Sequence, residues 1–64
     1  MNVENARQYR ISPIYQGMVR KWRLQVTYGL MDTADIGVYL KQAEAREKAK
    51  AHAKRNGWKP IILT

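Results

Sequence analysis

An α+β fold, a small two-layer domain with an antiparallel sheet and one helix packed on one face, is predicted by three features of this 64-residue chain. Arg20–Tyr28 alternates strictly, with Trp22, Leu24, Val26 and Tyr28 on one side of an extended chain and Lys21, Arg23, Gln25 and Thr27 on the other. Successive side chains of a strand point to opposite faces, so this segment is a half-buried strand of an antiparallel sheet. From Gln42 to Asn56 the period changes, and Ala43, Ala45, Ala49, Ala51 and Ala53 stand among Glu, Lys and Arg, all strong helix formers. The chain closes on the apolar run Ile61-Ile62-Leu63. Three strands, a helix and a strand bury their apolar sides as two layers, in the order β-β-β-α-β.

Met1 to Ala6 is polar and aperiodic and reads as a loose N-terminal arm; residues 7–64 form a single domain. From Arg7 the pattern turns β-like through Tyr9, Ile11, Ile14 and Tyr15, with Pro13 interrupting it. Proline cannot donate to a ladder, so this is an edge strand or one whose end is bulged. Gln16-Gly17-Met18 supplies a turn, and Arg20–Tyr28 returns antiparallel as a hairpin. Gly29 ends that strand. Leu30 to Asp35 holds Asp32, Thr33 and Asp35 and reads as a loop, and Ile36–Leu40 as a short third strand.

On a helical wheel Ala45, Ala49, His52 and Ala53 form one stripe, so the bulk of the core must come from the sheet. The expected core is Trp22, Leu24, Val26, Ile36, Val38, Ala45, Ala49 and Ala53, with Ile61 or Leu63 added from the last strand. Glu44 and Lys48 stand in the favoured i,i+4 order. Lys41 is a poor N-cap, whereas Gly57 sits where a C′ glycine is expected, with Pro60 beyond it. If the last strand lies parallel to the first, the crossover should be right-handed.

The totals narrow the chemistry. The chain has no cysteine, hence no disulfide or thiolate site, and His52 alone does not make a metal site, so neither metal nor cofactor is expected. No apolar run approaches the ~20 residues that span a bilayer, and the N-terminus lacks the layout of a signal peptide. The helix carries cations, but its apolar stripe is alanine, which argues against a membrane-surface role. The expectation is a soluble cytoplasmic protein, complete from Met1. Twelve Lys and Arg against five Asp and Glu give a net charge of +7, which speaks of solubility and of anionic partners.

Catalysis is not expected. Asp32 and Asp35 read as turn formers beside Thr33, and His52 as a residue at the core margin with no visible partner. Gly29 and Gly37 fit no dinucleotide fingerprint. Nucleic-acid binding is the sharpest positive hypothesis. The outward sheet face would show Arg10, Lys21, Arg23, Gln25 and Thr27, and a two-stranded ribbon can enter the major groove of DNA, where Arg reads guanine and Gln reads adenine. Lys50 and Lys54 on a helix flank offer phosphate contacts that position without specifying. Each surface has an ordinary reading of equal weight: solvation, and charges that block aggregation. A stacking platform for RNA would need outward aromatics, and the alternation turns Trp22 inward.

The order Lys21-Trp22-Arg23-Leu24-Gln25-Val26-Thr27-Tyr28-Gly29, a short strand, then Lys41-Gln42-Ala43-Glu44-Ala45 opening a helix resembles the arm-type DNA-binding domains of phage-like tyrosine recombinases. The resemblance runs from Lys21 to Ala53. It implies three strands and a helix, a sheet docked in the major groove, and Lys21, Arg23, Gln25 and Thr27 facing DNA. The chain departs from that pattern at Lys41, where the family has a capping Thr, and at Ile61–Leu63, where the family runs on into a linker. The chain is also similar to small standalone phage and bacterial β-β-β-α-β proteins of unknown function. The rival expectation is a protein-interaction module, either docking on an acidic protein or forming a homodimer through Ile61, Ile62 and Leu63.

Overall fold

The computed structural model describes residues 6–28 and 32–64. The elements are β1 (Ala6–Gln16), β2 (Val19–Tyr28), β3 (Asp32–Tyr39), α1 (Gln42–Arg55) and β4 (Lys59–Leu63). They form a four-stranded sheet in the order β3-β2-β1-β4, with α1 against one face. The β1/β2 and β2/β3 pairs are antiparallel, and β4 runs parallel to β1. The α+β class and the β-β-β-α-β order are therefore those expected. Apart from Ala6, which opposes Lys59, the expected arm lies outside the described residues, as do Gly29 and Leu30.

The hairpin closes at the pair Gln16 and Val19, around Gly17 with φ +65°. A glycine with positive φ in the first central position matches the twist of the flanking strands. β4 opposes only Ala6–Arg10, so Pro13 sits where β1 has become an edge and its missing N–H interrupts no ladder. The helix starts without a side-chain cap on Lys41. It ends in a Schellman motif: Trp58 N–H donates to the Ala53 carbonyl at 2.8 Å, and Gly57 N–H, at φ +72°, to the Lys54 carbonyl at 3.2 Å. That turn aims the chain back along the sheet. An exposed Glu47–Lys50 ion pair at 3.6 Å lies on the helix surface.

Tyr9, Ile11, Leu24, Val26, Ala45, Ala49 and Ala53 are the buried core. The alternation that puts Leu24 and Val26 inside does the same for Tyr9 and Ile11, which oppose Val26 and Leu24 across the hairpin. Ile36 packs against the core as expected, but Val38 does not: it faces away and is 43% exposed. The reason is a bulge. Leu24 opposes Gly37 while Gln25 opposes Asp35, so Ile36 is the extra residue and the alternation of β3 flips after it. Gly37 then faces inward under the Tyr39 ring, whose hydroxyl would lie 2.8 Å from an added Cβ.

Two further expectations change. The segment read as a loop is strand from Asp32 onward, because Asp32, Thr33, Ala34 and Asp35 pair along Tyr28–Gln25 of β2. In the last strand it is Ile62, opposite Tyr9, that packs on the core, while Ile61 and Leu63 stay on the outer side. Trp22 is half-buried at the core's edge, and a difference in length accounts for this. The 11 residues of β1 extend for roughly 36 Å, and the 14 of α1 for about 21 Å. The molecule is accordingly elongated, 44 × 23 × 16 Å, with the hairpin tip running past the helix.

The close seating of α1 predicts a contrast between two substitutions. Ala49→Leu should destabilise the fold by about 1–3 kcal/mol through overpacking, whereas Ala51→Leu, at an exposed position, should leave it nearly unchanged. Urea melts followed by circular dichroism would show the difference.

Candidate nucleic-acid interface

Because α1 covers one side of the sheet, the other side is open among the described residues, and the alternation of β1 and β2 decides what it shows. Gln8, Arg10, Ser12 and Ile14 of β1 oppose Thr27, Gln25, Arg23 and Lys21 of β2 on that face. The structure thus brings Arg10, Lys21, Arg23, Gln25 and Thr27 onto one surface of two adjacent strands. Gln8, Arg10, Gln25 and Thr27, with Thr33 from β3, line a shallow depression of about 270 Å³. The hairpin carries Arg7, Arg10, Arg20, Lys21 and Arg23 and no Asp or Glu.

Asp35 brings a carboxylate to the β3 side of this face. It is not a turn former: it stands opposite Gln25 and accepts a hydrogen bond from Gln25 Nε2 at 2.8 Å. That bond fixes the Gln25 amide and leaves its carbonyl oxygen and one N–H free to meet a ligand. Apolar side chains flank the polar centre, Val38 toward one edge and Ile61 and Leu63 on the other, with exposures of 38–43%. Lys50 and Lys54 are elsewhere. They project from α1, on the opposite side of the sheet, so they form a separate surface and cannot share one rigid ligand face with Arg23.

A second cluster sits under the C-terminal half of α1. The Tyr9 side chain is fully buried, and a buried hydroxyl needs a partner. His52 provides it, with Nδ1 2.9 Å from the hydroxyl oxygen, so the histidine expected to lack a partner has one. Trp58 packs beside His52 and Tyr28: its ring meets His52 at 5.8 Å and Tyr28 edge-on at 5.6 Å, and the Arg7 guanidinium lies 4.8 Å above it. Burial pushes the Tyr9 hydroxyl pKa up, Tyr28 adds to the shift, and Arg7 opposes it. On the β3 side of the helix, Ile36, Tyr39, Lys48, Ala51, His52 and Arg55 line a smaller depression of about 180 Å³. Among the described residues no three His, Asp or Glu side chains are grouped to hold a metal ion, and no helix is long and apolar enough to cross a membrane.

Sequence reasoning missed Gln8 and Asp35 as members of the open face. The first was legible, since alternation from Tyr9 places Gln8 beside Arg10. The second was not, since Asp-Thr-Ala-Asp looks like loop chemistry until the bulge and the pairing with β2 are known. No known protein family, curated protein or solved structure matches this chain.

The Tyr9–His52 contact has a pH signature. Tyr9→Phe should lower stability at neutral pH by about 0.5–1.5 kcal/mol. In the unfolded chain Tyr9 ionises near its ordinary pKa of about 10, while the folded protein holds the proton to higher pH. Alkali therefore favours the unfolded state of the wild type, and stability from this group, intact below about pH 10, is lost as pH rises through the raised value. The variant lacks that term. Urea melts at neutral and alkaline pH should show the gap between the two proteins narrowing as pH rises.

Proposed function

We propose that this protein is a small basic, non-catalytic DNA-binding module that lays the open face of its sheet into the major groove, acting as an accessory factor of phage or mobile-element type in the cytoplasm. The observation that carries this reading is the register of the hairpin. Arg10 stands beside Gln25 and Ser12 beside Arg23, with Lys21 one step further along the same face. A two-stranded ribbon fits a major groove about 12 Å wide. Arg10 and Arg23 are placed to donate to guanine O6 and N7 or to phosphate, Gln25 to pair with adenine, and Lys21 to hold the backbone. No group on the face is arranged as an acid–base pair or a nucleophile with its base, so the work assigned to it is recognition.

A second reading has its own observation. Ile61 and Leu63 remain exposed on the outer side of β4, which is an edge strand. A second copy, or an acidic protein, would cover them by adding to that edge. Ile62 takes no part in this, since it faces the core.

Salt separates the two readings. Fluorescence anisotropy with mixed-sequence duplex DNA should show binding that weakens steeply as salt is raised, through counterion release. Arg23→Ala should weaken it and lower the salt slope by about one if Arg23 meets a phosphate, with an unchanged melting curve because Arg23 is exposed. Lys54→Ala should leave binding nearly as it was. Absence of binding at low salt would overturn the DNA reading in favour of a protein partner.

A further inference from the structure

The inward-facing side of the sheet is not covered along its whole length. Beyond the core's edge at Trp22, the helix-side face of the hairpin continues through Pro13 and Tyr15 of β1 and Arg20 of β2. Pro13 opposes Trp22 and Tyr15 opposes Arg20, so Tyr15 and Trp22 are diagonal neighbours on one face, within reach of each other. Tyr15 is 71% exposed and Trp22 half-buried. The Arg20 guanidinium lies 5.2 Å from the centre of the Trp22 ring. Met18, at the turn, is fully exposed.

We infer that this face of the hairpin tip is a stacking site for an unpaired base of single-stranded nucleic acid, with the exposed Tyr15 ring as the platform and Arg20, held against Trp22, as the phosphate contact. Three features select that occupant. The Tyr15 ring is largely exposed, and every base has a π-face that such a ring accepts without regard to sequence. Arg20 opposes Tyr15, and its guanidinium is held against the Trp22 ring by cation–π attraction, where it can meet the backbone of a bound strand. The hairpin has five cations and no carboxylate, so a polyanion is drawn to it whichever face it meets. A protein partner would match the charge if it were acidic but has no general need of flat rings beside a cation.

The inference uses residues on the opposite face from Arg10, Arg23 and Gln25, so it stands or falls separately from duplex binding. Its test is anisotropy with a labelled dT12 oligonucleotide at low salt, on the full chain. Tyr15→Ala should weaken binding about tenfold, the scale of one lost base–aromatic stack. Tyr15→Phe, which keeps the ring, should bind as the wild type does. Tyr15 is largely exposed, so the melting curves of both variants should match the wild type and tie any change in binding to the surface. Equal binding by wild type and Tyr15→Ala would overturn the inference. So would a dimer in sedimentation that Tyr15→Ala dissociates, since the platform would then be occupied by a second copy. Duplex binding weakened in Arg23→Ala but unchanged in Tyr15→Ala, with the converse for dT12, would establish two independent faces.

Discussion

The seating of the helix on three methyl groups sets the terms for the rest of the molecule. Ala45, Ala49 and Ala53 are fully buried, and none of them brings bulk to the interface. Alanine lets a helix approach a sheet closely and costs no side-chain entropy, but it fills little space. The volume of the core therefore has to come from one side of two strands, and Tyr9, Ile11, Leu24 and Val26 supply it. These four residues face one another across the β1/β2 pair, two by two. A core built this way is narrow, lies along the hairpin axis, and is only as long as the helix. Everything on the hairpin beyond that length, and everything on the far side of the sheet, is left to water or to a partner.

Using tyrosine for bulk brings a hydroxyl into an apolar interior, and the surroundings of Tyr9 follow from that. His52 stands on the helix one turn from Ala49 and beside Ala53, where its Nδ1 reaches the hydroxyl. The Schellman turn at Gly57 then reverses the chain so that Trp58 closes over His52 and Tyr28. From there β4 enters the sheet beside the first half of β1, with Ile62 set on Tyr9. Tyr9 is thus tied through its hydroxyl to the C-terminal half of the helix and through its strand partner Ile62 to the last strand.

The fold class was legible because its signals were local. Alternation in Arg20–Tyr28, alanines at helical spacing and the Gly57 stop each depend on neighbours within one element, and each appears where expected. What was not legible depended on pairing. Val38 would have been inward had β3 kept a strict alternation, and only the bulge opposite Leu24 and Gln25 turns it out. Asp32 and Asp35 have the composition of a loop, yet a neighbouring strand with free N–H and C=O groups recruits them into the sheet. Trp22 shows the same limit in another form. Its side of the strand follows from periodicity, but its cover depends on how far the helix reaches. The seven candidate site residues, by contrast, could be divided between the outward sheet face and the helix flank from sequence, because that division follows from alternation in the strands and from the helix packing on one face of the sheet.

The cations of the hairpin have an ordinary explanation in protection of exposed strand edges, and the sheet order tests how far it goes. Beyond Arg10 the outer side of β1 is an edge, so charges near it would deter pairing with another chain. Arg23 is not at an edge. It stands on β2 between Ser12 of β1 and Val38 of β3, with strands on both sides. Its charge guards no unpaired backbone, and only the flat of the sheet remains for it to act on. Such a face needs protection from stacking against another sheet only where it is apolar, and beside Arg23 that is Val38 on the β3 side, while Ser12, Lys21 and Gln25 are already polar. A guanidinium at the centre of an open, polar, carboxylate-poor face adds little to solubility that its neighbours do not already provide. It adds much to the attraction of an anion that lies flat across the strands. Arg23 is therefore the position at which recognition and simple solvation part company, which is why the case for DNA rests more on it than on the total charge of the chain.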